Sequence, residues 1–232
     1  MRLVTVLVFL FALVGCSKPP PEYASKVNTP TATTTPAGPQ ASFVDDFARP
    51  NAQGLGDGWD VRGPYAGSFP LPPATDGFLR DGAYSYAGDD VVYAVRQFPV
   101  PVTRMGTSGR WTTIRPGAET TMTMAITAND KIVSDMVHFG VSRSIWELKV
   151  RRGQGFEPVA SGKFTPALKL NTDYRFELEA HDGTVTVRVP GAEEIMPVDL
   201  MGIVGDRAFW EEYPATMPGG TVFDYDTVWA DY

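Results

Sequence analysis

The chain has 232 residues, 20 of them Lys or Arg and 27 Asp or Glu, for a formal charge of −7. That balance excludes a nucleic-acid partner, whose phosphates require an excess of Lys and Arg. The lone cysteine, Cys16, excludes an internal disulfide and any multi-cysteine metal site. With 23 Gly and 20 Pro, turn-formers are well above their usual share, which favours short strands joined by turns over a helical bundle. Hydrophobic residues at 43% and aromatics at 12% supply a core and exclude wholesale disorder.

In chain order, Met1 and Arg2 precede an apolar run from Leu3 to Val14. Such a run rises only about 18 Å as a helix, short of a hydrocarbon core of roughly 30 Å, and a basic start before it is the pattern of a secretory signal. It ends in Leu13-Val14-Gly15-Cys16 with Ser17 following, which resembles the bacterial lipobox. The resemblance implies cleavage before Cys16, a diacylglycerol on its thiol and acylation of the new amine. The expected organisation is therefore a signal peptide over 1–15, a lipidated tether over 16–41 and a domain over 42–232. The protein would be lipid-anchored on the extracytoplasmic face of the cell membrane. The tether is rich in Pro, Thr and Ala; it buries too little apolar surface to offset its ordering entropy, and its prolines stiffen it toward polyproline II.

From Ser42 onward, alternation of apolar and polar residues dominates over helical periodicity. The segment from Asp173 to Pro190 predicts a hairpin about Asp182-Gly183, pairing Ala180 with Val185, Leu178 with Val187 and Glu177 with Arg188. Thr120–Thr127 and Ile145–Arg152 also alternate. Further strands are predicted at Phe43–Phe47, Phe78–Leu79, Val91–Phe98, Trp111–Arg115, Met136–Ser142, Phe156–Phe164, Phe209–Tyr213 and Val222–Ala230. Glu193-Glu194, after Pro190-Gly191, reads as a surface turn. The pattern predicts an all-β antiparallel sandwich.

Several segments resemble the concanavalin A-like lectin/glucanase jelly roll. They are the opening Phe43-Val44-Asp45-Asp46-Phe47, the loop Gly54-Leu55-Gly56-Asp57-Gly58-Trp59, the Phe78-Leu79-Arg80-Asp81-Gly82 turn, the Tyr174–Val189 strand pair and the closing Val222-Phe223-Asp224-Tyr225-Asp226-Thr227-Val228-Trp229. The glucanases of that superfamily carry E-x-D-x-x-E on a central strand, and this spacing is absent here, so the resemblance implies a non-catalytic domain. Some members hold a structural calcium through an aspartate of the closing strand, the position of Asp226, and hard oxygen ligands suit that ion.

Among candidate chemical groups, Glu177 and Glu179 share a strand face, as two glycosidase carboxyls would, but Glu177 has Arg188 as a cross-strand partner. Adjacent Glu211 and Glu212 point to opposite faces of a strand. The two histidines, His138 and His181, lie too far apart for a zinc motif. His138 faces away from Val137, Phe139 and Val141 and is a candidate ligand contact; Trp210 is the candidate sugar platform. The expectation is an envelope lipoprotein whose sandwich binds a glycan or cell-wall polymer, a neutral one given the acidic balance. The alternatives are a docking module for an envelope or phage-related protein, and a cryptic glycoside hydrolase.

Overall fold

The computed structural model describes residues 42–232 except 57, 64–76, 87–90, 116–118, 129–134, 154 and 214–219. The expected signal peptide, Cys16 and the tether lie outside the described residues. The strands are β1 (Ser42–Asp45), β2 (Ala52–Gln53), β3 (Asp60–Arg62), β4 (Gly77–Arg80), β5 (Ala83–Tyr86), β6 (Val92–Gln97), β7 (Arg104–Arg115) and β8 (Thr121–Thr127). They continue with β9 (Met136–Val141), β10 (Ile145–Arg152), β11 (Gly155–Lys163), β12 (Tyr174–His181), β13 (Thr184–Val189), β14 (Ala192–Pro197), β15 (Arg207–Tyr213) and β16 (Gly220–Asp231).

Two antiparallel sheets form. One runs β14-β13-β12-β7-β16-β5-β4-β2, with β1 also paired to β16; the other runs β11-β10-β9-β8-β15-β6-β3. Period-two alternation sends one set of side chains from each strand into the space between the sheets. From β10 these are Trp146, Leu148 and Val150; from β12, Phe176, Leu178 and Ala180; from β8, Met122, Met124 and Ile126. Full burial of a side chain such as Leu178, Phe176 or Met124 contributes about 1.5–3 kcal/mol. The opposite set of β10, namely Glu147, Lys149 and Arg151, is thereby turned to the outer face of its sheet.

The hairpin pairs as the alternation predicts, with Glu177 opposite Arg188, Leu178 opposite Val187 and Ala180 opposite Val185. Asp182 and Gly183 both take positive φ, 51° and 72°, as a two-residue turn between twisted strands requires. Glu193-Glu194 is not a turn. It lies in β14, which extends the hairpin by a third strand, with Glu193 opposite Arg188 and bonded to its Nε at 2.6 Å.

The two sheets are tied together by polar contacts as well as by the core. Trp210 Nε1 donates to the Gly106 carbonyl at 3.2 Å. Tyr225 donates its hydroxyl to the Glu211 carbonyl at 2.8 Å, and the Phe223 N–H donates to Glu212 Oε1 at 2.5 Å. The last two contacts join β15 to β16 directly behind the outer face that carries Glu211.

Candidate functional site

The outer face of the seven-stranded sheet carries a cavity of about 390 Å³. Register places its residues in rows across the sheet. Tyr93, Glu211, Thr123, Gly140 and Glu147 form one row across β6, β15, β8, β9 and β10. Phe209, Ala125, His138 and Lys149 form the next, and Met136, Arg151 and Phe156 a third. Small residues in the first row, Thr123 and Gly140, leave a trough between the two glutamates. Three strand spacings separate Glu147 from Glu211, about 14 Å between their Cα atoms.

The charged groups here are not an ordinary solvated face. Glu211 is only 5% exposed, and a carboxylate that far from water needs a partner. Its Oε2 lies 3.6 Å from His138 Nε2. The other ring nitrogen, Nδ1, is buried and has no hydrogen-bond partner among the described residues. The His138 ring meets Phe156 edge-on, centroids 5.2 Å apart. Phe156 is 45% exposed and carries the Arg151 guanidinium 4.9 Å from its centroid. Lys149 Nζ is paired with Glu147. One stretch of sheet thus presents an aromatic plate, two carboxylates and three basic side chains around a trough. An aromatic body with a few convergent polar groups is the usual make-up of a ligand site.

The remaining sequence candidates lie elsewhere. Trp210 is not a platform: it is 2% exposed, its indole packs edge-on against Trp59 at 5.4 Å, and its N–H is spent on the Gly106 carbonyl. Glu177 and Glu179 are not in a cavity; they sit on the outer face of the nine-stranded sheet, where Arg188 Nη1 reaches both, at 3.4 and 2.8 Å. Despite partial burial, hydrogen bonds from Arg188 and His181 hold the Glu179 carboxyl below its usual range. His181 at the hairpin end is bound to Glu179 and Asp182.

Asp226 occupies the outer face of β16, its Oδ1 3.6 Å from Arg110, which also holds Asp173 at 3.1 Å. Burial pushes the Asp226 carboxyl up, and the neighbouring Asp173 reinforces this while Arg110 opposes it. These residues supply a guanidinium and one further carboxylate rather than the six to eight oxygens that surround a calcium ion. Among the described residues no three His, Cys, Asp or Glu side chains converge on a common point fit for a metal.

Sequence reasoning missed Phe156, Glu147 and Glu211 as members of one site. The signal for Glu147 was present, since it alternates with the core set of β10. What the sequence lacks is the register that brings β15 and β10 to the two sides of β8 and β9.

No family model and no curated protein matches this chain. Its fold does match solved structures. The catalytic domain of an endo-1,3-β-glucanase (laminarinase) from Thermotoga petrophila RKU-1 aligns with a TM-score of 0.60 at 7% identity, covering 82% of this chain and 96% of that one. A Bacillus licheniformis β-glucanase aligns at 0.56 and 7%, covering 82% and 97%. A protein from work on endo-acting O-glycanases of the human gut microbiota aligns at 0.55 and 13%, covering 82% and 98%. The fold is the concanavalin A-like jelly-roll sandwich. The expectation of a non-catalytic domain is overturned here: the matched folds belong to endo-glucanases, so the absence of E-x-D-x-x-E gives no ground for excluding hydrolysis.

Proposed function

We propose that this chain is an exported, lipid-anchored protein whose cleft on the seven-stranded sheet takes a stretch of glycan. The observation that carries the cleft is the pairing of nearly buried Glu211 with His138 beside the exposed Phe156 ring. Apolar faces of sugar rings pack on aromatic plates, while carboxylates and imidazoles orient hydroxyls. That the matched structures are glucanases supports the same reading. Calorimetry with β-1,3- and β-1,4-linked gluco-hexaoses is expected to return saturable binding at one site; no heat with either would count against it.

Anchoring rests on Leu13-Val14-Gly15-Cys16. Replacing Cys16 with Ala is expected to release the protein from the membrane fraction into the soluble one. Retention in the membrane would show that another segment holds it.

A second reading, hydrolysis, is favoured by Glu147 and Glu211 facing one trough. A gap of about 14 Å at Cα leaves room for a sugar and a water. Side chains reaching inward from that span can bring the carboxyls to the roughly 6.5–9.5 Å of inverting enzymes as well as to the about 5–5.5 Å of retaining ones. One carboxylic acid would protonate the departing glycosidic oxygen while the other, as carboxylate, draws a proton from the attacking water. Glu211→Gln is expected to reduce such hydrolysis at least about 100-fold, the lower end for losing a general acid or base, while hexaose binding persists. Unchanged hydrolysis in that variant would remove Glu211 from the chemistry.

A further inference from the structure

We infer that the Phe156 end of the cleft is a subsite for an acidic sugar, one bearing a carboxylate at C6, and this rests on the glycan reading of the same cleft. Three basic side chains line the cavity, and two are already matched: Lys149 by Glu147 and His138 by Glu211. Arg151 is not. Its Nε donates to the Gly153 carbonyl at 3.1 Å, which fixes the root of the guanidinium, and it forms no ion pair among the described residues. The planar group is held 4.9 Å from the centre of the half-exposed Phe156 ring.

That combination is specific in its chemistry. A guanidinium presents two parallel N–H bonds that fit a carboxylate, and Arg is preferred to Lys where such a fork is needed. The adjacent aromatic face takes the apolar side of the sugar ring that bears it. A neutral sugar would leave the charge unmatched and gain only the ring contact.

The acidic balance of the whole chain argues the other way, but mostly at long range; the nearby Asp135 already has its Oδ1 engaged by the Gly153 N–H at 2.8 Å. Interactions between exposed charges are largely screened beyond about 8 Å at physiological ionic strength. Glu211, the acid of the pair with His138, stands three strands across and four residues along from Arg151. That is about 14 Å in one direction and 13 Å in the other. An anion seated on Arg151 therefore answers to Arg151 rather than to the net charge.

Matched ligands give the test: the β-1,3- and β-1,4-linked gluco-hexaoses, and the same chains oxidised at C6 to glucuronate. At low salt the full-length protein is expected to bind the oxidised hexaose of one linkage at least about tenfold more tightly than its neutral parent, with the preference shrinking as salt is raised. Arg151→Met should abolish the preference, bringing the ratio of oxidised to neutral affinity to about one; Arg151→Lys should restore only part of it. Equal affinity for oxidised and neutral chains, or a preference that survives Arg151→Met, overturns the subsite while the glycan reading stands. Absence of binding by all four hexaoses overturns both.

Discussion

Glu212→Gln is expected to stabilise the domain at neutral and alkaline pH and to flatten the dependence of its stability on pH. Glu212 points away from the cleft into the space between the sheets and is 3% exposed. Its Oε1 accepts the Phe223 N–H, while Oε2 has no partner among the described residues, nor does the nearby Tyr84 hydroxyl. Burial pushes its carboxyl well above the usual carboxylate range, with Asp224 adding to the shift and the Phe223 bond opposing it. The folded state therefore keeps a proton that the unfolded chain releases near pH 4.3. Between those two values the folded state binds more protons, so stability falls as pH rises, by about 1.4 kcal/mol per unit. Glutamine keeps the acceptor for Phe223 and supplies a donor in place of the proton. The variant should melt near the wild-type temperature at pH 4 and progressively above it toward pH 8. A parallel pH dependence in both proteins would show that Glu212 is ionised in the fold.

This buried acid has a structural consequence for the cleft. Glu212 binds β16 through Phe223, and Tyr225 of β16 holds the carbonyl of Glu211. The Tyr225 hydroxyl is kept protonated by burial, reinforced by Glu212 and Tyr84. Two adjacent glutamates thus do opposite things: one faces ligand, and the other secures the strand from behind.

The residues that were legible in the sequence are those whose partners are near or repeated. The β12–β13 hairpin is set by local alternation and a two-residue turn. The opening segment and the Gly58-Trp59 loop, which both resemble the jelly-roll family, are also bonded to each other. Asp45 accepts the Trp59 indole N–H at 2.9 Å and the Arg49 guanidinium at 2.6 Å. These bonds, with that from the Phe47 N–H, outweigh burial and hold its carboxyl below the usual range. On β9, the alternation of Val137, Phe139 and Val141 with His138 placed the histidine on the outer face correctly.

Where one strand carries similar residues on both faces, the sequence is silent about which is core. β15 has Phe209 and Glu211 on one side, Trp210 and Glu212 on the other, so both faces mix aromatic and acidic residues. Its place between Phe209 and the acidic Glu211-Glu212 pair favoured Trp210 for exposure, and the fold buries it. The first half of β7 lies outside the strand expected at Trp111–Arg115, and its Gly106 and Gly109 weaken any strand pattern there. Both are needed for close packing: a Cβ on Gly106 would lie 2.1 Å from the Trp229 ring, and one on Gly109 would lie 2.7 Å from Phe223. β14 was hidden by its acidic run, which is tolerated because Arg188 of β13 lies opposite Glu193. The cleft itself depends on register among six strands spread over more than a hundred residues, and no local pattern encodes that.

The claim that the trough between Glu211 and Glu147 is where glycan lies is tested most directly by filling it. Gly140 forms the floor, and a Cβ there would meet Thr121, Thr123 and His138 at 3.4 to 3.8 Å, ordinary contact distances that let a side chain be added without moving the sheet. Leucine at this position projects outward into the cavity and suits a strand better than glycine does. Calorimetric titration of Gly140→Leu with the gluco-hexaose that binds wild type is expected to show affinity reduced at least about 100-fold, equivalent to about 2.7 kcal/mol, with the melting temperature retained. Wild-type affinity in a folded Gly140→Leu protein would place the glycan elsewhere and contradict the account.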